Sequence, residues 1–294
     1  MPSPTKASSS TLPVSLVCCG LLGTTADDHG IVERAFAEAC ATQGIVPGTA
    51  AYAHYMVGVH QAQGQSAVDV FRGLFPDEDG RAEAAALSFE RSFRTAVDHT
   101  EISPVPGAEE AIGRLSESGI RVCLITSLSR RLLGLVLDSL RWWRLIDLTL
   151  CPEDAPRGCP WPDLMLTAML RLGVEDVREA AFAASTASEI QCGRRSGAGV
   201  VAGVLTGGHT DDRLRAAGAT HLIDGIAQLP GLLLGSRTSG PAGSVGGDTV
   251  AAADARAGSA SGASAGASPS RAPSAASTSA PRPQVPLERR NSGL

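Results

Sequence analysis

Short apolar runs that end in polar, glycine-bearing turns recur along the chain and alternate with stretches of helical periodicity. The first run, Val14 to Cys19, delivers the segment Gly20-Leu21-Leu22-Gly23-Thr24-Thr25-Ala26-Asp27-Asp28. An uninterrupted apolar run of this length reads as a strand buried on both faces, carrying a loop to the carboxyl edge of a parallel sheet. Ile120 to Ile125, Ala180 to Ala184 and Val200 to Leu205 repeat the pattern, and Thr220 to Asp224 is a last, shorter strand. Helical spacing predicts a helix from Ile31 that stops near Gln43-Gly44, then helices over 49–57, 66–74 and 80–97. Pro104-Val105-Pro106-Gly107 opens the next helix, which ends at Gly119. Further helices are predicted over 130–140, 163–172 and 211–217, with one more running to Leu234. Strand, helix and strand in this order predict an α/β fold, a Rossmann-like parallel sheet flanked by helices. The block 30–103 is helical throughout and by itself reads as a small all-α bundle. Two adjacent tryptophans, Trp142 and Trp143, cannot face the same way on a helix, so one is expected in the core and one under a loop.

Composition sharpens the boundaries. Residues 1–12 are rich in Ser, Thr and Pro, and beyond Gly235 there is no aromatic residue and almost no Leu or Ile. Neither end can bury enough apolar area to offset its ordering entropy, so a disordered leader (1–12) and a disordered tail (236–294) are expected. Hydrophobic residues make up 43% and charged residues 19% of the 294, which fits a globular protein. A net charge of −5 with no basic cluster in the body disfavours nucleic acid as a partner. No apolar run is long enough to span a membrane, and no secretion signal stands at the start. The seven cysteines, Cys18, Cys19, Cys40, Cys123, Cys151, Cys159 and Cys192, are odd in number and lack zinc-like spacing, and two of them fall in predicted strands. They read as reduced thiols of a cytoplasmic protein. The single lysine is Lys6, so no lysine-dependent chemistry is expected in the folded body.

The segment Gly23-Thr24-Thr25-Ala26-Asp27-Asp28 resembles the first motif of the haloacid dehalogenase superfamily, in its phosphonatase-like and phosphoglycolate-phosphatase-like branch. There the strand ends Asp-x-(Asp or Ala)-Gly-Thr-(Thr or Leu), and the first Asp attacks phosphorus. Alignment on Gly23 puts Gly20 at the nucleophile and Leu22 at the acid/base position. The block 30–103 stands where that family inserts a helical cap, between core segments 13–29 and 104–235. Met56 to Ala67 resembles the cap's substrate-facing segment, with Ala67 where relatives carry a lysine. Thr126, followed by Ser127, matches the second motif, whose hydroxyl and neighbouring amide hold the phosphoryl group; capping of the following helix would explain it equally well. Cys159 stands at the basic residue of the third motif, with Arg157 the nearest substitute. In the fourth motif Ser185 and Glu189 replace two Mg²⁺-binding Asp residues, while Thr186, Gly193, Gly197 and Ala198 keep the spacing. The resemblance covers roughly residues 13–235.

Phosphoryl transfer in such a site needs a nucleophilic carboxylate, a carboxylate-held Mg²⁺, a cation and a hydroxyl cradle. Gly20, Leu22, Cys159 and Ser185 fail to supply the first three, although the glycines and apolar frame around them are kept. The resemblance therefore implies a degenerate, non-catalytic member, a pseudoenzyme, requiring no cofactor. Its role would be to bind a small phosphorylated or anionic ligand, with Thr24, Thr25, Thr126, Ser127, Ser185 and Thr186 as the cradle; no protein partner is indicated, and a purely structural scaffold would bind none of these. The alternative is a Mg²⁺-dependent phosphatase that recruits displaced carboxylates from Asp27, Asp28 or Glu189, which would also hold the metal. A cysteine mechanism through Cys18 or Cys19 lacks the Cys-x₅-Arg phosphate loop. His29 is the one histidine beside the first loop, and surface exposure is its simplest explanation.

Overall fold

β1 (Leu16–Gly20) is the axis of the molecule, and all five of its residues are buried. The computed structural model describes residues 13–100 and 102–235; the leader 1–12 and the tail 236–294, both expected to be disordered, lie outside them. After β1 the chain makes the two-residue strand β2 (Ala26–Asp27) and enters four helices, α1 (Ile31–Thr42), α2 (Ala50–Gln61), α3 (Ala67–Leu74) and α4 (Asp79–Val97). It returns through β3 (Ser103–Pro104), which pairs antiparallel with β2 and so closes the neck of the helical insertion. The remainder alternates: α5 (Ala108–Glu117), β4 (Arg121–Ile125), α6 (Arg130–Leu140), β5 (Leu148–Leu150), α7 (Asp163–Leu172), β6 (Ala180–Ala184), α8 (Ala187–Ser196), β7 (Val200–Val204), α9 (Asp211–Ala217), β8 (His221–Ile223) and α10 (Leu229–Gly235).

Six strands form one sheet in the order β5-β4-β1-β6-β7-β8, and every neighbouring pair is parallel. The order reverses at β1, between β4 and β6. In an open parallel sheet such a switch point leaves a crevice beyond the carboxyl ends of the strands, where ligands bind. Successive residues of β1 feed two cores. Val17 and Cys19 pack into one cluster, which also includes Phe36, Phe71 and Phe89 of the insertion. Leu16 and Cys18 pack into the other, with Met165, Phe182 and Ile190. Both faces being covered is why the strand reads as an unbroken apolar run. Five of the six phenylalanines lie in the insertion, and Phe36 packs tilted against Phe89 at 4.4 Å between centroids, so aromatic contacts join the helices within the cluster they share with the sheet.

Several expectations need correction. Thr49 and Ser66 precede their helices rather than begin them, because their hydroxyls accept the amides of Tyr52 and Asp69 as caps. α2 continues past Gly58 to Gln61; a Cβ on Gly58 would lie 2.6 Å from Leu74 Cδ2, so this glycine serves close packing between α2 and α3 rather than a helix stop. β5, three residues long, offered no run from which to read a strand. Three cysteines lie in strands, not two, and all seven are buried and free. Trp142 is in the core, but Trp143 is 56% exposed and donates to Asp138 Oδ1 at 2.7 Å rather than packing under a loop. The segment after β8 is a 3₁₀ turn (Ile226–Gln228) followed by α10, not one helix. Among the described residues no helix is long and apolar enough to cross a membrane.

Candidate functional site

At the carboxyl edge of the sheet, β1 hands over to a tight loop whose backbone is held locally. Leu21 O accepts the amides of Thr25 and Ala26, each at 2.9 Å. Thr25 is fully buried and donates back to Gly20 O and Leu21 O, so its hydroxyl braces the loop. Thr24, also fully buried, donates to Ser185 Oγ at 3.0 Å and ties the first loop to the end of β6.

Next to these loops lies a cavity of about 150 Å³, roofed by the insertion and floored by the sheet edge. Its polar lining consists of Asp28, Gln63, Gln65, Thr126, Ser127, Ser185, Thr186 and Glu189. Val32, Phe36, Val70 and Phe89 from the insertion, with Leu22 and Leu128 from the core, supply the apolar part. Of the six hydroxyls expected as a cradle, Thr126, Ser127, Ser185 and Thr186 line the cavity, whereas Thr24 and Thr25 stand behind it. Thr126 Oγ1 accepts the Leu128 amide at 3.2 Å, which braces the turn ahead of α6; the residue at the helix cap is Ser129. Asp28 lines the cavity while its Oδ2 accepts the Val32 amide at 2.7 Å, capping α1. Asp27 points away, accepting the His29 amide, and His29 lies exposed between Asp27 and Ser103.

Glu189 is the group around which the site is built. It is 6% exposed, on the first turn of α8. Thr186 caps that helix and donates to Glu189 Oε2 at 2.6 Å. A Cβ on Gly20 would lie 2.9 Å from Glu189 Oε1 and 2.8 Å from Thr24 Oγ1. A side chain at position 20 would therefore displace this carboxyl and this hydroxyl. From above, Gly64 closes on Thr186 and Glu189. Its φ is +86°, a conformation that favours glycine, and a Cβ there would lie 2.2 Å from Thr186 Oγ1. Burial pushes the Glu189 carboxyl up to about 7, against hydrogen bonding with Thr186 that pulls it down.

Among the described residues no Lys, Arg or His lines the cavity. Arg157, the nearest substitute for a third-motif base, is bound through two nitrogens to Asp163 and lies over the Trp161 ring, so it does not swing into the site. Cys159 is buried outside the cavity lining, its thiol pushed well up by a hydrogen bond with Cys192 and by burial. Two contacts that the sequence reading missed tie the insertion to the core: His209 accepts the Ala187 amide through Nδ1 at 2.8 Å and donates through Nε2 to His60 O at 3.0 Å, and Arg213 donates to Gln61 O. Gln63 was also missed as a lining residue. A capping-box spacing, Thr186-x-x-Glu189, was present in the sequence and could have marked the α8 start.

Mg²⁺ requires oxygen ligands in octahedral geometry, with at least one or two carboxylates among them. Gly20 offers no side-chain oxygen and Ser185 is engaged with Thr24, which leaves Asp28 and Glu189 as the carboxylates of the lining. Among the described residues no group of three or more His, Cys, Asp or Glu is arranged to hold a metal ion. The lining thus offers Mg²⁺ two carboxylates and no third acidic ligand.

A family model described as haloacid dehalogenase-like hydrolase matches residues 14–197. The chain is 29% identical over 157 residues to a protein of Dickeya dadantii named "Probable phosphatase IndB", covering 53% of this chain and 67% of that protein. It is 28% identical over 137 residues to the phosphonoacetaldehyde hydrolase of Pseudomonas fluorescens, covering 45% of this chain and 50% of the enzyme. The match therefore spans about half the length of that hydrolase. Among solved structures, a hydrolase from Pseudomonas syringae superimposes with a TM-score of 0.65 at 22% identity, over 75% of this chain and 98% of that one. A phosphonoacetaldehyde hydrolase-like protein from Oleispira antarctica gives 0.60 at 22% identity, over 79% and 97%. These likenesses show the fold: a parallel α/β core of the same kind.

Proposed function

The chain belongs to the haloacid dehalogenase-like hydrolase family, and from that premise we propose that it keeps the family's architecture without its phosphoryl transfer. In this reading the helices of 30–103 act as a cap over the cavity, and the protein works by binding a small ligand there. The observation that carries the reading is Gly20. At the end of β1, where the resemblance expects an attacking Asp, there is no side chain, and the Glu189 carboxyl and the Thr24 hydroxyl stand within 2.9 Å of where its Cβ would be. Losing a nucleophile alone lowers rates by roughly 10⁴–10⁶, and Leu22, Cys159 and Ser185 remove further parts of the machinery. Relatives named as phosphatase and phosphonoacetaldehyde hydrolase support a small molecule as the ligand class, phosphorylated in their case. The hydroxyls of Thr126, Ser127, Ser185 and Thr186 support a polar head group at the cavity floor. Seven buried free thiols support a reducing compartment, the cytoplasm.

One observation favours a second reading. Glu189 Oε1 lies beside the place a nucleophile at position 20 would begin, so a hydrolase acting through displaced carboxylates, Glu189 with Asp28, is the alternative. Phosphate release from a panel of phosphate esters and phosphonoacetaldehyde, with Mg²⁺ and with chelator, separates the two. The expected result is no turnover by the folded chain. Release that disappears with chelator overturns the proposal, and its loss in Glu189→Gln would identify the carboxylate.

A further inference from the structure

A site that holds phosphate concentrates positive charge and hydrogen-bond donors. This cavity has hydroxyls and side-chain amides but lacks the positive charge. No Lys, Arg or His is among its lining residues, while Asp28 and Glu189 both are. Arginines of the surrounding loops and helices are already committed: Arg157 to Asp163, Arg130 to Asp154, and Arg213 to Gln61 O. Acceptors are left over. Glu189 Oε2 is held by Thr186, but its Oε1 accepts no hydrogen bond from the described residues. Gln63 Oε1, from the cap side, is buried with no partner. A buried acceptor without a donor, as Gln63 Oε1 is, is costly, and a ligand that supplies donors recovers that loss. The opposing wall is apolar, with Val32, Phe36, Val70 and Phe89.

Resting on the reading of the chain as a ligand-binding member of its family, we propose that the cavity selects a small primary amine: an ammonium head against Glu189 and Gln63, and a short branched hydrocarbon body under the cap. An ammonium carries three donors and no acceptor, the complement of this floor. The volume of about 150 Å³ sets the size, since a cavity of roughly that volume accommodates benzene, about six non-hydrogen atoms. 3-Methylbutylamine meets both conditions, and 3-methylbutan-1-ol has the same shape without the charge. The change relative to a phosphate site follows from the residues themselves: each position that would attract an anion has lost its cation, and the one carboxyl left at the centre has none to neutralise it.

The test is calorimetric titration of the full chain at pH 8 with 3-methylbutylamine, 3-methylbutan-1-ol and inorganic phosphate, repeated on Glu189→Gln. The amine is expected to bind at least about tenfold more tightly than the alcohol, with phosphate weakest. In the variant the amine should lose about 30-fold or more, the size expected on removing one partner of a buried charge pair, while the alcohol changes little. Equal binding of amine and alcohol, preferential binding of phosphate, or no binding by any of the three overturns the proposal. The comparison among ligands on the unaltered chain stands even where the variant fails to fold. Failure here leaves the non-catalytic reading untouched, because that reading falls only to Mg²⁺-dependent phosphate release.

Discussion

Asp154 and Glu189 use the same local device with opposite results. Each is the acid three residues after a capping residue, Cys151 for Asp154 and Thr186 for Glu189, and each is almost excluded from water. Asp154 has everything a buried carboxylate needs. The Cys151 amide donates to it at 3.0 Å, and Arg130 and Arg171 bind its two oxygens. Burial alone would raise its pKa, but the Cys151 amide and Arg130 outweigh it, and the carboxyl titrates below its ordinary value. Glu189 has one hydroxyl and no cation, and burial prevails, holding it near 7. The difference teaches which carboxyl is structural and which is kept at a cost to stability. A buried acid left uncompensated beside a cavity marks a functional site, whereas a compensated one marks a brace.

The largest effect should come from dismantling the brace. Asp154→Ala leaves two arginines without their anion and the Cys151 amide without an acceptor. Both arginines are about half exposed, 55% and 46% by side chain, so water recovers part of the loss. A destabilisation of about 2–4 kcal/mol is expected, read as a lower midpoint in urea unfolding. A change under about 0.5 kcal/mol would mean that the two carboxyls are not the contrast they appear geometrically.

The opposite sign is expected at Glu189. Its pKa is about 7 in the folded chain against an ordinary 4.5, so between these values the folded state binds the proton and the unfolded state does not. The favourable contribution of the protonated group is complete below about 4.5 and is lost as pH rises through 7. Glu189→Gln removes the penalty. It should stabilise the protein by about 1–3 kcal/mol at pH 8, with the gain vanishing near pH 4. Thermal unfolding of both proteins across that range measures it, and equal pH profiles would show that Glu189 is not held in the uncharged form.

Much of this was legible before the structure and some was not, for physical reasons. Apolar runs buried on both faces made β1, β4, β6 and β7 readable, and the glycine and hydroxyl spacing around Gly23 and Thr186 placed the loops at one sheet edge. The separation of Thr126, Ser127, Ser185 and Thr186 from Thr24 and Thr25 was not readable. A hydroxyl's type says nothing about whether it faces a cavity or turns back on its own loop, as Thr25 does. Nor could spacing reveal that Glu189 fills the place left by Gly20, because that contact joins residues far apart in sequence. Arg157 was only the nearest substitute for the missing base, and its spacing did not show that its guanidinium would pair with Asp163, six residues on.

The smallest effect tests why Glu189 is tolerated at all. Thr186 Oγ1 accepts the Glu189 amide at 3.4 Å and donates to the Glu189 carboxyl at 2.6 Å, so one hydroxyl both caps α8 and steadies the ionised acid. Thr186→Val keeps the shape and removes both. The cap contributes about 1 kcal/mol, a loss that should appear at every pH. The second role depends on pH: without the donor, ionising Glu189 becomes harder and its pKa moves further up. The fall in stability between pH 5 and pH 8 should then be steeper than in the unaltered chain, by a few tenths to about 1 kcal/mol. A variant that loses a constant amount across that range would assign Thr186 to the helix cap alone. A pH-dependent loss would tie the hydroxyl to the acid, and in the double variant with Glu189→Gln that extra loss should disappear, leaving the cap contribution by itself.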